Sequence, residues 1–194
     1  MRIKICGITT VRDALTAEEL GADAIGVVVC SDSPRSVPVK RAKEIFAALK
    51  PTTMKVCVTD TRSESDLEVI MHVKPDAIQL HSGIGVPDKC GIRVIRAVRP
   101  GEEPVPGYNM VLVDGSCGNG TPYDSDFAIR MVRETGAPVI LAGGLNPENV
   151  EDAIRTISPS AVDVSSGVEK SPGIKDPKRV AEFIRHCREA EACL

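Results

Sequence analysis

The chain has no N-terminal segment in which basic residues lead into an apolar run, and no apolar stretch near the roughly 20 residues a membrane span needs. Those absences predict a cytoplasmic protein with no membrane partner. A basic field is missing too. Lysine and arginine total 24 against 27 acids, the net charge is -3, and the cations are scattered, so no nucleic-acid partner is expected. The seven cysteines form no Cys-x-x-Cys pair and the three histidines stand far apart, which removes the local zinc spacings; no metal is predicted. An odd cysteine count in a chain too large to need disulfide staples predicts reduced thiols. Cys6-Gly-Ile-Thr9, after the first apolar run, holds a single glycine, so the dinucleotide fingerprint is absent from its expected place.

What is present is a repeated alternation. A hydrophobic content of 42% over 194 residues suffices for one substantial core, and nothing marks a linker, so residues 1–194 read as a single domain. Eight short β-branched or apolar runs end in turn residues: Ile3 to Cys6, Ala24 to Val29, Met54 to Val58, Ala77 to His81, Arg93 to Ala97, Met110 to Asp114, Pro138 to Ala142 and Ala161 to Ser165. Helical periodicity fills most gaps, over Val11 to Leu20, Lys40 to Leu49, Glu64 to Val73, Asp126 to Arg133, Asn149 to Ile157 and Pro177 to Arg188. Such alternation predicts a parallel sheet, and the eight units predict a compact (β/α)8 TIM barrel rather than a doubly wound open sheet. The chain falls just short of the ~200 residues at the lower end of that fold. Arg99-Pro-Gly-Glu-Glu-Pro-Val-Pro-Gly107 stands where the fifth helix belongs; its prolines each cost a helix about 3 kcal/mol, so a loop is expected there, with a shortened fourth helix after His81.

Two glycine-rich turns, Leu141-Ala-Gly-Gly-Leu-Asn-Pro-Glu-Asn149 and Ala161-Val-Asp-Val-Ser-Ser-Gly-Val168, each follow an apolar run and are expected to lead into helices. Bare backbone N–H groups beside a helix N-terminus suit a phosphate, so the substrate should carry one. Strand parity then sorts the polar residues. If Ile3 and Ile5 face the helices, Lys4 and Cys6 point inward; the same rule turns Gln79, His81, Asp114, Asp163 and Ser165 inward. Cys6, His81, Asp114 and Asp163 thus meet at the C-terminal rim, where barrel enzymes gather their chemistry. Cys6 precedes a helix start capped by Thr10, which is expected to lower its thiol pKa; the other six cysteines read as small buried hydrophobes. Each rim residue has a plainer alternative. Asp114 fits a turn cap, His81 and Asp163 fit satisfied interior polar groups, and Arg35 fits either a solvated arginine or a bidentate grip on a carboxylate. Gly115 to Tyr123 reads as a lid or as a flexible connector.

Lys4-Ile-Cys-Gly-Ile-Thr9, Gln79-Leu-His81, Val113-Asp114, Gly143-Gly-Leu-Asn-Pro-Glu-Asn149 and Val162-Asp-Val-Ser-Ser-Gly-Val-Glu169 together resemble phosphoribosylanthranilate isomerase from end to end. The resemblance implies a cofactor-free aldose–ketose isomerisation of N-(5-phosphoribosyl)anthranilate in tryptophan biosynthesis, by a monomer or homodimer acting on a small phosphorylated sugar-anthranilate. It implies Cys6 as general base and Asp114 as general acid. It further implies Arg35 on the anthranilate carboxylate, His81 and Asp163 in the sugar pocket, and Gly143, Gly144, Ser165 and Ser166 on phosphate. The sequence departs from the family pattern at Cys117 to Gly120 and at Ser125, where that pattern has a Gly-Gly-x-Gly run and a tryptophan. Two rivals remain: another sugar-phosphate barrel enzyme, and a sensor that keeps the phosphate cradle without chemistry.

Overall fold

A computed structural model describes residues 1–86, 91–102, 108–114 and 124–192. Eight parallel strands close on themselves: β1 (Arg2–Ile5), β2 (Ala24–Val28), β3 (Met54–Thr59), β4 (Ala77–Leu80), β5 (Arg93–Val98), β6 (Met110–Asp114), β7 (Val139–Ala142) and β8 (Ala161–Val164). Closure is made by β1, which pairs with β2 on one side and β8 on the other, setting Lys4 opposite Asp163. Among the described residues six α-helices lie outside the barrel: α1 (Val11–Glu19), α2 (Val39–Ala48), α3 (Glu64–Met71), α4 (Ser125–Glu134), α5 (Val150–Ile157) and α6 (Pro177–Ala192). The (β/α)8 architecture read from the sequence is therefore the one observed.

Local chemistry explains the helix starts. The Thr10 hydroxyl accepts the Asp13 N–H at 3.0 Å, and Asp124 caps α4 by accepting the Phe127 N–H, also at 3.0 Å. Between β4 and β5 the described residues 81–86 and 91–92 contain no helix, and residues 99–102 and 108–109 after β5 contain none either. The remainder of both connections lies outside the described residues, as does the glycine-rich segment 115–123, read as a lid or a flexible connector.

Two apolar layers follow from strand parity. Ile3, Ile5, Ile78, Val113 and Val162 pack outward against helix residues such as Ala14, Ile45, Phe127 and Phe183. Cys6, Val28, Val58, Ile95, Leu112 and Ile140 fill the interior. Strand ends differ slightly from expectation, because Cys6, His81 and Ser165 fall one residue beyond their strands. Two of them keep the ladder bonding all the same: the Cys6 N–H donates to Val164 at 2.8 Å and the His81 N–H to Thr59 at 3.0 Å. Their side chains thus stand at the rim.

One correction concerns the second glycine turn. The first, through Gly143 and Gly144, does lead into α5. The second runs instead into a 3₁₀ turn at Ser166–Val168 and then a small antiparallel hairpin, β9 (Glu169–Ser171) and β10 (Ile174–Lys175), before α6 begins. Gly173 supports that hairpin with a left-handed φ of 80°.

Candidate active site

A cavity of about 290 Å³ opens at the C-terminal ends of the strands. Cys6, Arg35, His81, Asp114, Gly143, Gly144, Asp163, Ser165 and Ser166 all line it, so the residues singled out from sequence converge on one place. Gln79, Thr59, Asp60 and Arg99 join them. A second cavity, of about 450 Å³, opens at the opposite end of the barrel between Met54, Ile95, Met110 and Ile140. Its wall mixes apolar side chains with Arg2, Lys4, Asp23 and Arg93, and none of the nine residues above lines it.

The first layer of chemistry comes from β1. Lys4 projects into the barrel and its ammonium lies 2.9 Å from Asp163 Oδ1, with both side chains almost fully buried. Burial alone would make the ammonium more acidic, but the charges of Asp163 and Cys6 and their hydrogen bonds outweigh it and hold the Lys4 pKa above its ordinary value. Cys6, two residues on, responds in the opposite balance. Desolvation dominates and pushes the thiol pKa up, while Lys4 and Lys175 pull it down and Asp163 adds to the rise. The expected lowering by a helix N-terminus does not prevail, because the thiol is only 7% exposed and loses its hydration.

Gly7 permits the next contact. At its φ of 71°, an added Cβ would meet Arg35 Cδ at 2.6 Å and Ser165 Oγ at 2.7 Å, so the arginine stem and the serine hydroxyl occupy the space a side chain would take. Ser165 Oγ is buried without a hydrogen-bond partner among the described residues, as is Gln79 Oε1. Unpartnered polar atoms on a cavity wall are free to meet a ligand. Gln79 Nε2 lies 2.8 Å from His81 Nε2; an amide donor there makes that ring nitrogen the acceptor. A neutral imidazole fits the electrostatics. Desolvation lowers the His81 pKa, with Lys4 and Arg99 reinforcing the shift and Asp114 and Asp163 opposing it. Asp114 itself stands at the end of β6, opposite Ala142 of β7.

Three buried groups carried no weight in the sequence reading. Lys4 was detectable, as a charged residue at an inward position of an otherwise apolar strand. Glu169 and Lys175 left no comparable signal, since the hairpin that buries them is set by tertiary packing. Their side chains are 4% and 2% exposed and 2.8 Å apart. His186 is half-buried, with Nδ1 on the Pro147 carbonyl at 2.5 Å.

A family model for N-(5'-phosphoribosyl)anthranilate (PRA) isomerase matches residues 3–186. The chain belongs to the PRA isomerase family. A PRA isomerase from Methanoregula boonei is 53% identical over 192 residues, covering 98% of each chain. Among solved structures, the PRA isomerase of Thermotoga maritima superposes with a TM-score of 0.83 at 35% identity, over 97% of this chain and 99% of its own. A further PRA isomerase structure, a complex with reduced 1-(o-carboxyphenylamino)-1-deoxyribulose 5-phosphate, gives a TM-score of 0.79 at 34% identity with the same coverage.

Proposed function

We propose that this chain, as one catalytic domain over residues 1–194, converts N-(5'-phosphoribosyl)anthranilate to 1-(2-carboxyphenylamino)-1-deoxyribulose 5-phosphate in tryptophan biosynthesis. The observation that carries the reading is the convergence, within a PRA isomerase barrel, of a buried thiol, a carboxyl group and a serine hydroxyl with no partner among the described residues on one cavity. The reduced product analogue bound to a relative points to the same ligand class.

In this reading the phosphate rests against Gly143, Gly144, Ser165 and Ser166. Both glycines adopt left-handed φ values, 89° and 65°, and the Ser165 hydroxyl has no partner among the described residues. Asp114 gives a proton to the ribose ring oxygen as the bond from that oxygen to C1' breaks, and the nitrogen lone pair forms the C1'–N double bond. The iminium acidifies the C2' hydrogen. Cys6, as thiolate, takes that proton; the C–H electrons become a C1'–C2' double bond and the nitrogen regains its lone pair. The enolamine then settles as the ketone. Lys4 and Lys175 supply positive charge that offsets part of the desolvation that raises the thiol pKa. His81 and Asp163 meet the sugar hydroxyls, Asp163 through the oxygen that does not bond Lys4. Arg35 meets the anthranilate carboxylate. The protein works as a monomer or homodimer in the cytoplasm. Dimers occur in the family, as the Thermotoga maritima protein is one, and no described helix is long and apolar enough to cross a membrane.

The test is to mix the purified protein with freshly made phosphoribosylanthranilate and follow the loss of its fluorescence. Wild type should turn the substrate over. Cys6→Ala and Asp114→Asn should each lose about two orders of magnitude or more in kcat while still binding the reduced product analogue. No turnover by wild type favours the sensor or a different sugar phosphate, and full activity in either variant removes the role given to that residue.

A further inference from the structure

A guanidinium offers two edges, each able to hold a carboxylate through a parallel pair of N–H donors. Arg35 already uses one of them within the protein. Its Nε lies 2.9 Å from Glu169 Oε1 and its Nη2 lies 2.8 Å from Glu169 Oε2. Glu169 opens β9 and is held from two further directions, by Lys175 Nζ at 2.8 Å and by the Gly173 N–H at 3.2 Å. Lys175 Nζ also donates to the Ser165 carbonyl at 3.1 Å, which ties the cluster to the cavity wall. The arginine stem, meanwhile, lies across Gly7.

Charge and entropy give this arrangement a purpose. A carboxylate paired with Arg35 alone would cancel the charge needed to attract an anion. Lys175 offsets Glu169, so the trio of two buried side chains and the part-buried Arg35 keeps one net positive charge beside the cavity. A long arginine on a loop also loses rotamer freedom when it binds, and a guanidinium already locked by a bidentate partner loses less. The remaining edge, Nη1 with the second N–H of Nη2, points away from Glu169 on a side chain that lines the cavity.

We infer that Glu169 is a positioning residue, which fixes Arg35 so that its second edge recognises the carboxylate on the substrate's aromatic ring, with Lys175 as the balancing charge. The inference rests on the reading above that Arg35 meets that carboxylate. It makes carboxylate selectivity a property of three residues from two distant parts of the chain.

Two probes separate positioning from structural support: reduced 1-(o-carboxyphenylamino)-1-deoxyribulose 5-phosphate and the same compound without its carboxylate. The ratio of their affinities by titration calorimetry measures carboxylate preference, and loss of folded protein moves both affinities together without changing the ratio. Glu169→Gln should lower the preference ~10-fold and leave the uncarboxylated probe unaffected. Arg35→Met should abolish the preference, and Glu169→Gln added to it should have no further effect. Should the orphaned Lys175 ammonium prevent Glu169→Gln from folding, Glu169→Gln with Lys175→Met replaces it and must give the same drop. An unchanged preference in the Glu169 variants, with Arg35→Met defective, overturns the inference and spares the role of Arg35. An unchanged preference in Arg35→Met overturns both.

Discussion

Adding one methyl group to the barrel interior at Gly26 tests whether the candidate base depends on packing from a neighbouring strand. Gly26 sits in the middle of β2 on its inner face, beside β1. A Cβ built there would lie 2.8 Å from Cys6 Sγ, 3.0 Å from Lys4 Cε and 3.2 Å from Cys6 Cα. The Cα belongs to a chain held by ladder bonding, so the thiol and the lysine tip must move; ordinary contact requires Sγ to retreat by about half an ångström or more. The backbone of Gly26 is not left-handed, so alanine brings no conformational strain and by itself would stabilise a strand by about 0.5–1 kcal/mol. Overpacking works against that by about 1–3 kcal/mol. Gly26→Ala should therefore lose roughly 1–2 kcal/mol in urea unfolding. Its kcat in the fluorescence assay should fall ~10-fold or more, since misplacement by an ångström costs about 10²-fold. Cys6→Ala removes the clashing sulfur, so the double variant should recover about 1 kcal/mol relative to the sum of the single changes. A Gly26→Ala protein that is more stable than wild type and turns over at the wild-type rate would falsify this account of how the thiol is seated.

Lys4→Met leaves the Asp163 carboxylate buried without its ion-pair partner and should cost about 3 kcal/mol in urea unfolding, at the lower end for such pairs because Asp163 borders the cavity. It should also shift the alkylation rate of Cys6 by iodoacetamide to higher pH, because a charge favouring the thiolate is gone; an unmoved alkylation profile refutes that coupling. Burial pushes the Cys57 and Cys187 thiols up to about 12, from an ordinary value of 9.0. Between those limits the folded state keeps protons that the unfolded chain releases, so stability falls as pH rises, by roughly 1.4 kcal/mol per pH unit for each thiol. Urea midpoints from pH 8 to pH 11 should drop more steeply for wild type than for a Cys57→Ala, Cys187→Ala variant, and parallel slopes would contradict the assignment. For His81 the sign is opposite. Its lowered pKa means that the unfolded chain binds the proton more readily, so its contribution to stability is lost as pH falls below its ordinary value of 6.5. An NMR titration midpoint for His81 above 6.5 would refute the buried neutral ring.

Much of the site was legible because barrel geometry turns spacing into direction. Ile3 and Ile5 pack outward and Cys6 inward, as alternation requires, and the same rule correctly sent His81, Asp114 and Asp163 to one rim. The Thr10 cap was equally readable, since it is made within four residues. The thiol of Cys6 was misjudged for a definite reason. A nearby helix start is visible in sequence, whereas the loss of hydration that outweighs it depends on how many strands surround the sulfur. The hairpin after Ser166 was missed because its short strands carry Glu, Lys and Ser rather than an apolar alternation.

Short-range stereochemistry determined the strands, the helix caps and the glycine turns, because each of these is settled by a few adjacent residues whose preferences are written in their types. Pairings between distant residues were decided only by closure of the barrel. Lys4 and Asp163 are 159 positions apart, and Arg35 and Glu169 are 134 apart. No local pattern marks either pair. Their meeting, and the desolvation that sets the charge states of Lys4, Cys6 and His81, exist only once β8 has returned to β1 and excluded water from the space between.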